Sequence, residues 1–514
     1  MSDVSPQASQ PAVAVAAEES SQLGKGRLRV WDAVGQSVGL LALIMALAIT
    51  TGPIAAFAGP AAPLAYLIAG LGSLCLAYVF IRFTRSMASA GSIYTYVSKG
   101  LGPEAGFMGG WLYAGAFTFG VSFTLAIASF YTSVFMSEQF NNDFTGDWFW
   151  IFLIGIVLLF LFAFFDIRFS TRTQLVVTAV GVVAVLIVVF AILFQGGAGG
   201  LTIHPFSPNA VSGGLSSLFV AVIFGFTAFG GFEAAATLGE ESVDPRRAIP
   251  RAILVSILVA VVFFVLTTYA FAVGYGADDK GALKWAVDAA PLDTLAAQYV
   301  NPTLAKIIDV LVAIDAFIAS LAGLNLASRV LFAMGRDRGL PAVFGRSHSR
   351  FKSPWVGIIF ALVITIILGA LPGQQMDSLG GLPLPKPLPF AFFLAGTATL
   401  GILGAYLLAA ISGLGFFQRE KGGGLHIIWQ VLLPLIAVLI VGATLISSFA
   451  PLPPAPPLAA PLSYAPYIFG AWLLLGLLLV VVVRNVNPAQ VSKFGQIVAG
   501  AGEESQEGAP AAGD

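Results

Sequence analysis

The sequence predicts an all-α polytopic membrane protein with twelve transmembrane helices. Three observations predict it: 58% of the 514 residues are hydrophobic, only 10% are charged, and the apolar residues fall into twelve long runs. A soluble globular protein carries about 25% charged residues. Because a helix needs about 20 apolar residues to cross the hydrocarbon of a bilayer, each run is expected to be one span.

The charges between the runs predict how the protein is oriented. The spans begin near Val34, Pro63, Phe107, Trp148, Leu175, Leu215, Ala252, Leu304, Trp355, Phe390, Ile427 and Ala465. With a cytoplasmic N-terminus, the inside segments hold all Lys and Arg residues except Lys280, Lys284, Lys306 and Lys386. Cytoplasmic loops carry the excess of Lys and Arg, so we expect a multi-pass protein of the cell membrane with both termini cytoplasmic.

Composition divides the chain into one membrane domain and two tails. Residues 28–485 hold all the spans. Residues 1–27 are predicted to be a disordered cytoplasmic tail, and their first 23 residues contain no Lys or Arg, unlike the basic start of a signal peptide. Residues 486–514 are expected to form a cytoplasmic C-terminal tail. The single cysteine, Cys75, excludes disulfides within the chain.

Two spans carry residues that interrupt helices. Span one contains Thr50-Thr51-Gly52-Pro53, and span six contains Gly225, Gly230 and Gly231. Backbone groups freed at such breaks must be satisfied inside the membrane, and a bound polar solute can do so. Because the breaks lie five spans apart, they suggest an inverted repeat of spans 1–5 and 6–10 with two appended helices. Close helix packing and a simple proline kink are the alternatives.

Two acidic residues lie at membrane depth. Glu233 follows the span-six glycines, and Asp315 lies eleven positions into span eight. Since a central Asp costs about 2.5 to 3.5 kcal/mol on insertion, both suggest function. For Glu233 we expect gating or proton response, with helix capping as the alternative. For Asp315 the candidate partners are a transported proton, a substrate amine, or Ser320 and Asn325; a protonated Asp bonded to a carbonyl is the alternative.

Three stretches of the chain resemble the amino acid-polyamine-organocation permease superfamily. They are AGSIYTY at 90–96 with the glycines and Trp111 that follow, GFEAA at 231–235 with the polar loop to Ala252, and SRVLFAMGRD at 328–337 with Gly339-Leu340-Pro341. The resemblance covers about residues 28–485. It implies a leucine-transporter-type fold, with spans 1–5 and 6–10 as the inverted repeat, and transport by alternating access.

The resemblance also implies where a substrate binds. The cradle maps to Thr50, Thr51 and Gly52 on span one and to Phe226, Thr227, Ala228, Phe229 and Gly230 on span six. Phe232 is a candidate aromatic lid, with plain packing as the alternative. Arg246, Arg247, Arg336, Asp337 and Arg338, with Glu240 and Glu241, are candidates for salt bridges of an inside gate, with solvated anchor charges as the alternative.

One position departs from the family pattern. Many members carry a Lys in span five that is thought to substitute for a sodium ion, and the matching position here, counted from Gln174, is Gly181. No Lys or Arg occurs between Arg172 and Arg246. Coupling to protons would therefore have to use Asp315 or Glu233, or the protein exchanges solutes without ion coupling.

The expected function is import of an amino acid by a secondary transporter, with protons as the expected coupling ion. Amine or polyamine transport, solute exchange and substrate sensing without flux remain alternatives. The chain has no ATP-binding GxxxxGK[ST] or hydrolase GxSxG motif, and its three histidines, His204, His348 and His426, show no ligand spacing. We therefore expect no enzyme activity, cofactor, metal or nucleic acid partner.

Overall fold

The protein was described from a computed structural model, which covers residues 28–87, 89–165, 167–288, 290–379, 382–419, 427–449, 460–492 and 494–495. The regular secondary structure of this part of the chain consists of helices and one antiparallel pair of two-residue strands, Ser378–Leu379 (β1) and Leu382–Pro383 (β2). The predicted tail 1–27 lies outside the described residues, as do most of residues 486–514.

Seventeen α-helices are numbered here in chain order. The first nine are α1 (Val30–Leu41), α2 (Leu43–Ala58), α3 (Ala62–Ser86), α4 (Ile93–Leu101), α5 (Pro103–Phe140), α6 (Trp148–Phe165), α7 (Ile167–Gln195), α8 (Gly214–Phe229) and α9 (Pro245–Tyr275). The others are α10 (Asp279–Val287), α11 (Pro291–Tyr299), α12 (Pro302–Arg336), α13 (Trp355–Ala370), α14 (Leu388–Arg419), α15 (Leu433–Phe449), α16 (Ala465–Val486) and α17 (Pro488–Val491).

The described helices are long and apolar enough to make this a multi-pass membrane protein. Ten stretches have the length and composition of membrane spans, the first of them running from Val30 to Ser86. The apolar helix α13 is shorter, at 16 residues. Large apolar side chains such as Phe194, Ile446 and Val482 are more than half exposed. They face outward, where the hydrocarbon of the bilayer solvates them.

The first helix break lies at Ala42. Helix α1 ends at Leu41, Ala42 has a φ of 45°, and α2 begins at Leu43. The break predicted at Thr50–Pro53 is wrong in position, because α2 continues through Pro53 to Ala58. Proline removes one backbone donor, yet the following turns keep helical geometry, as often happens where neighbouring helices support a membrane helix.

The second helix break lies at Gly230 and Gly231, as predicted from the glycines of span six. Helix α8 ends at Phe229, Gly231 has a φ of 100°, and a 3₁₀ turn covers Ala234–Leu238 before α9. A Cβ placed on Gly231 would lie 2.5 Å from Leu40 Cγ. The two breaks therefore pack directly against each other in the middle of the protein.

Both described ends of the chain lie on one face of the helix bundle, called here the terminal face. Leu28 exchanges backbone hydrogen bonds with the segment after the second break, donating to Glu241 O at 3.0 Å and accepting from Val243 N at 2.9 Å. On the opposite face, the loop after α10 covers α2: a Cβ on Gly52 would lie 3.9 Å from Asp288 O. The breaks lie between these two covered faces.

We expect Gly231→Ala to destabilise the protein by about 1 to 3 kcal/mol, because alanine is strained at this φ and its methyl group would overlap Leu40. The midpoint of thermal unfolding in detergent measures the effect. Gly470→Ala in α16 is the control, since nothing lies within 4 Å of its Cβ. Equal unfolding midpoints for both variants would show that the break does not need glycine.

Candidate functional site

A cavity lies where the two helix breaks meet, with about 550 Å³ of space between the atoms, part of it open to solvent. Its walls come from α1, α2, α5, α8, α12 and α14, and include Leu41, Thr50, Thr227, Gly230 and Gly323. A second space, also partly open to solvent, shares Thr50 and Thr227 with it and reaches the turn before α16. That turn lies on the opposite face, so the cavity continues away from the terminal face.

The predicted cradle residues divide into two groups. Thr50, Thr227 and Gly230 line the cavity. Thr51, Gly52, Phe226, Ala228 and Phe229 are buried but do not line it. Thr51 donates its hydroxyl to Leu47 O at 2.8 Å. Phe229 packs its ring against Tyr66 and Phe264. A substrate-binding role for any of these residues stays a prediction.

The cavity wall is apolar apart from four threonines. Thr227 and Thr399 share a hydrogen bond of 2.8 Å, Thr124 bonds Ser320 at 2.7 Å, and Thr50 bonds Tyr66 at 2.5 Å. Among the described residues that line the cavity, none has an ionisable side chain. The wall therefore suits a mainly apolar solute whose polar groups bind threonine oxygens or free backbone groups.

The carbonyl end of α8 lies beside the cavity, where Gly230 N donates to Thr227 O at 3.4 Å. The last four carbonyls of a helix have no partner within it, and they carry the negative end of the helix dipole. A Cβ on Gly230 would lie 3.5 Å from both Phe226 O and Thr227 O, so this carbonyl end lies beside a residue of the cavity wall. It is suited to an ammonium group.

Asp315 binds the first helix break. Its Oδ2 accepts from Ile44 N at 3.0 Å and from Met45 N at 3.1 Å, and Thr178 donates its hydroxyl to Oδ1 at 3.3 Å. The candidate partner Ser320 bonds Thr124 instead, and within the described part of the chain neither side-chain polar atom of Asn325 has a hydrogen-bond partner. Asp315 therefore caps α2, where a carboxylate satisfies free N–H groups and faces the positive end of the helix dipole.

Ile44 occupies the space beside Gly181. A Cβ on Gly181 would overlap Ile44 Cδ1, so this packing leaves no room for a lysine. The same Ile44 donates its backbone N–H to Asp315. Gly181 is the position at which the resemblance predicts a lysine. The space beside it is filled by Ile44 of the broken helix, and the ionisable group nearby is the acidic Asp315.

Glu233 is held by two tyrosines directly after the second break. Tyr113 donates to its Oε1 at 2.5 Å and Tyr406 to its Oε2 at 2.6 Å, and Gly231 N donates to the Tyr406 oxygen at 3.2 Å. The sequence analysis did not predict that these two tyrosines bind Glu233. Phe232 is fully buried between Phe80 and Tyr406 and does not line the cavity, so its role as a lid stays a prediction.

Two ion pairs close the terminal face. Arg329 donates to Glu241 at 2.6 and 3.3 Å, and Arg336 donates to both oxygens of Glu240 at 2.8 Å. Arg329 follows the cavity residue Gly323 by six positions and Arg336 by thirteen, or about 9 and 20 Å along α12. The pairs therefore form two successive layers between the cavity and the terminal face.

The sequence analysis named both residues of one of these two ion pairs. It placed Arg336 and Glu240 among the gate candidates, and the structure brings them together, but it did not identify Arg329 as the partner of Glu241. Another candidate, Arg247, only approaches Asp244 three residues away, at 3.8 Å on the surface. Asp337 accepts from Tyr94 OH at 3.0 Å, which ties α4 to the same region.

Burial raises the pKa of the Asp337 carboxyl from 3.8 to about 6, although Arg336 and the Tyr94 hydroxyl oppose the rise. The folded protein thus binds this proton more tightly than the unfolded chain, and the resulting stabilisation at low pH is lost as pH rises through about 6. We expect Asp337→Asn to gain up to about 3 kcal/mol relative to wild type between pH 4 and pH 7.

Unfolding midpoints of both proteins at each pH measure this difference. Asp244→Asn controls for loss of one negative charge on the same face, because its side chain is 54% exposed. A difference between Asp337→Asn and wild type that is the same at both pH values would contradict the assignment.

Comparison with known proteins assigns the chain to a family. Residues 30–493 match the sequence profile of the amino acid permease family. Among curated relatives, the branched-chain amino acid permease BcaP of Lactococcus lactis is 28% identical over 385 residues, which are 72% of this chain and 77% of BcaP. The low-affinity putrescine importer PlaP of Escherichia coli is 28% identical over 315 residues, which are 59% of this chain and 66% of PlaP. The methylthioribose transporter of Bacillus subtilis is 27% identical over 347 residues, which are 63% of this chain and 71% of that transporter. The chain therefore belongs to the amino acid permease family of membrane transporters.

Proposed function

We propose that the protein is a secondary transporter that imports an amino acid across the cytoplasmic membrane by alternating access, coupled to protons. The observation that carries this proposal is the cavity between two helix breaks, closed from the terminal face by one buried and one partly buried ion pair. A solute held there is reachable from one side only until those pairs separate. An enclosed central site with a separable barrier is what alternating access requires.

The proposed architecture is twelve spans with the two breaks in corresponding helices. The stretch from Val30 to Ser86 divides into two spans at the turn Gly59–Ala61, and α13 adds one to the other nine candidates. The breaks at Ala42 and Gly231 then fall in spans one and six, which supports two inverted repeats of five spans with α15 and α16 appended.

We place the terminal face in the cytoplasm. Arg329 and Arg336 lie near it, and the described helix ends and loops on this face contain Arg82, Arg85, Lys99, Arg246, Arg247, Arg251, Arg338, Arg346, Arg350 and Lys352. This asymmetry agrees with the positive-inside rule. Both termini would then be cytoplasmic, and the cavity would load from outside.

A neutral amino acid with an apolar side chain fits the cavity best. Its carbon chain would contact the apolar wall, and its ammonium group would bind the carbonyl end of α8 near Gly230. The relative BcaP is named for branched-chain amino acids and PlaP for putrescine. We favour the amino acid, because a diamine requires a second anionic contact and no ionisable side chain is among the described lining residues.

Coupling to protons would act through Asp315. As a carboxylate it accepts from Ile44 N and Met45 N and holds α2 in place. A proton on this group removes the negative charge that faces the helix N-terminus and converts one acceptor oxygen into a donor. The cap would weaken, and the broken helix would become free to rearrange. Proton binding at Asp315 would thus be linked to the conformation of the substrate cavity.

An exchanger without ion coupling is the second candidate. The observation that favours it is the complete satisfaction of Asp315 by two N–H groups and Thr178, since a carboxylate held this way has a structural role even if it never titrates. A sensor that binds substrate without transporting it would show binding but no flux.

Uptake into proteoliposomes distinguishes these functions. We expect an inward proton gradient to stimulate uptake of a branched-chain amino acid, and Asp315→Asn to reduce that stimulation about tenfold or more, because an amide cannot take up and release the coupling proton. Asp309→Asn is the matched control on the same helix, since among the described residues Asp309 has no hydrogen-bond partner.

The alternatives predict different results in the same assay. Uptake that ignores the gradient but requires internal amino acid would contradict symport and identify an exchanger. Transport of putrescine but of no amino acid would contradict the proposed substrate class. Binding of substrate without any flux would contradict transport itself.

A further inference from the structure

The chain returns to the terminal face after its last membrane helix. Helix α16 ends at Val486, and the short helix α17 leads to Phe494 and Gly495. The described residues of this segment, 488–492 and 494–495, are called here the strap. Phe494 is fully buried and Val491 is 8% exposed. The strap therefore packs into the protein, within the stretch from residue 486 that the sequence predicts to be a cytoplasmic tail.

The strap binds the residue that follows the outer ion pair of the terminal face. Gln490 Nε2 donates to the Asp337 backbone carbonyl at 2.6 Å, and Gly495 N donates to Asp337 Oδ2 at 2.7 Å. The same Oδ2 accepts from Tyr94 OH at 3.0 Å. Asp337 is thus held by α4 on one side and by the strap on the other.

Apolar contacts fix the strap to a groove between other elements. The Phe494 ring lies 5.6 Å from the Phe107 ring of α5, and a Cβ on Gly339 would lie 3.3 Å from Phe494 Cε1. A Cβ on Gly495 would lie 2.5 Å from Ser98 Cβ of α4. Gly495 has a φ of 67°, which favours glycine, so both its conformation and the space around it exclude larger residues.

The strap lies across a junction of three regions, and these regions must move apart from one another when the terminal face opens. Arg336, beside Asp337, forms the ion pair with Glu240, and Glu240 also accepts from Ala90 N at 3.0 Å. Three regions therefore meet here: the end of α12, the segment after the second break, and the residues before α4. The strap joins the end of α12 to α4 and α5 across this junction.

We propose that the strap is an autoinhibitory contact, which must leave its groove before the terminal face opens fully. Movement of Asp337 away from Tyr94 breaks the bond to Gly495 and pulls Phe494 from its pocket. The bound strap thus stabilises the closed state, and its release favours opening. The inference rests on the transport proposed above but does not depend on the substrate or on the coupling ion.

Two truncations test the strap with a matched control. Deletion of residues 488–514 removes it, and deletion of residues 496–514 leaves it in place. We expect the longer deletion to raise the initial rate of uptake about threefold or more, because two hydrogen bonds and a buried ring no longer oppose opening. The shorter deletion should transport like wild type. The full-length variant Gln490→Ala with Phe494→Ala should resemble the longer deletion, and Ser492→Ala, exposed on the strap, should not.

A substitution in the full-length chain tests the same contact without a deletion. Gly495→Ala places a Cβ 2.5 Å from Ser98 Cβ at a φ that disfavours side chains, so it should displace the strap and raise uptake as the longer deletion does. Gly470→Ala in α16 is the control, since nothing lies within 4 Å of its Cβ, and it should transport like wild type.

The two experiments separate failure of the strap from failure of the proposed function. Wild-type uptake with no increase in the longer deletion, or with no increase in Gly495→Ala, would overturn the strap. Absence of uptake in wild type and in every variant would overturn both. Uptake by the longer deletion alone would support both, and unfolding midpoints show whether each variant is folded.

Discussion

The structure depends on how a helix can be interrupted in the middle of a membrane. At Ala42 the first span leaves backbone N–H groups without helical partners, and no water is available in hydrocarbon to satisfy them. Asp315 satisfies two of these groups from α12. Its carboxylate is costly to bury alone, but at a helix N-terminus its charge and the freed donors compensate each other. The cavity exists because this break and the break at Gly231 pack together through Leu40.

The polar groups between the cavity and the terminal face share one feature. Glu233 joins the second break to α5 and α14 through two tyrosines, and the Arg329 and Arg336 ion pairs join the following segment to α12. Each contact connects elements that are distant in the sequence. A buried ion pair contributes little net stability, because desolvation opposes the attraction, whereas breaking one is expensive. Such pairs therefore suit a barrier with two defined states, closed or fully separated.

The sequence predicted the general fold and part of the site. The physical reason for each success or failure differs from one residue to the next. Hydrophobic runs locate spans, and the break at Gly231 was predictable because a φ of 100° requires glycine. Ala42 has no such residue-type mark: the N–H groups freed after it are bound by Asp315, 273 positions away. Thr50 and Thr227 line the cavity, whereas Thr51 and Gly52 do not, and their binding role stays a prediction. Tyr113, Tyr406, Thr178 and the burial of Phe494 depend on tertiary packing, which periodicity does not encode.

The number of protons carried with each substrate molecule tests the central claim most directly. In proteoliposomes with fixed substrate and proton gradients, the membrane potential at which net flux stops gives this ratio. The account predicts one proton per zwitterionic substrate in the wild type, and a flux balance that no longer depends on the proton gradient when Asp315 is replaced by Asn. A wild-type balance set by the substrate gradient alone would contradict it, and Asp315 would then be a structural cap only.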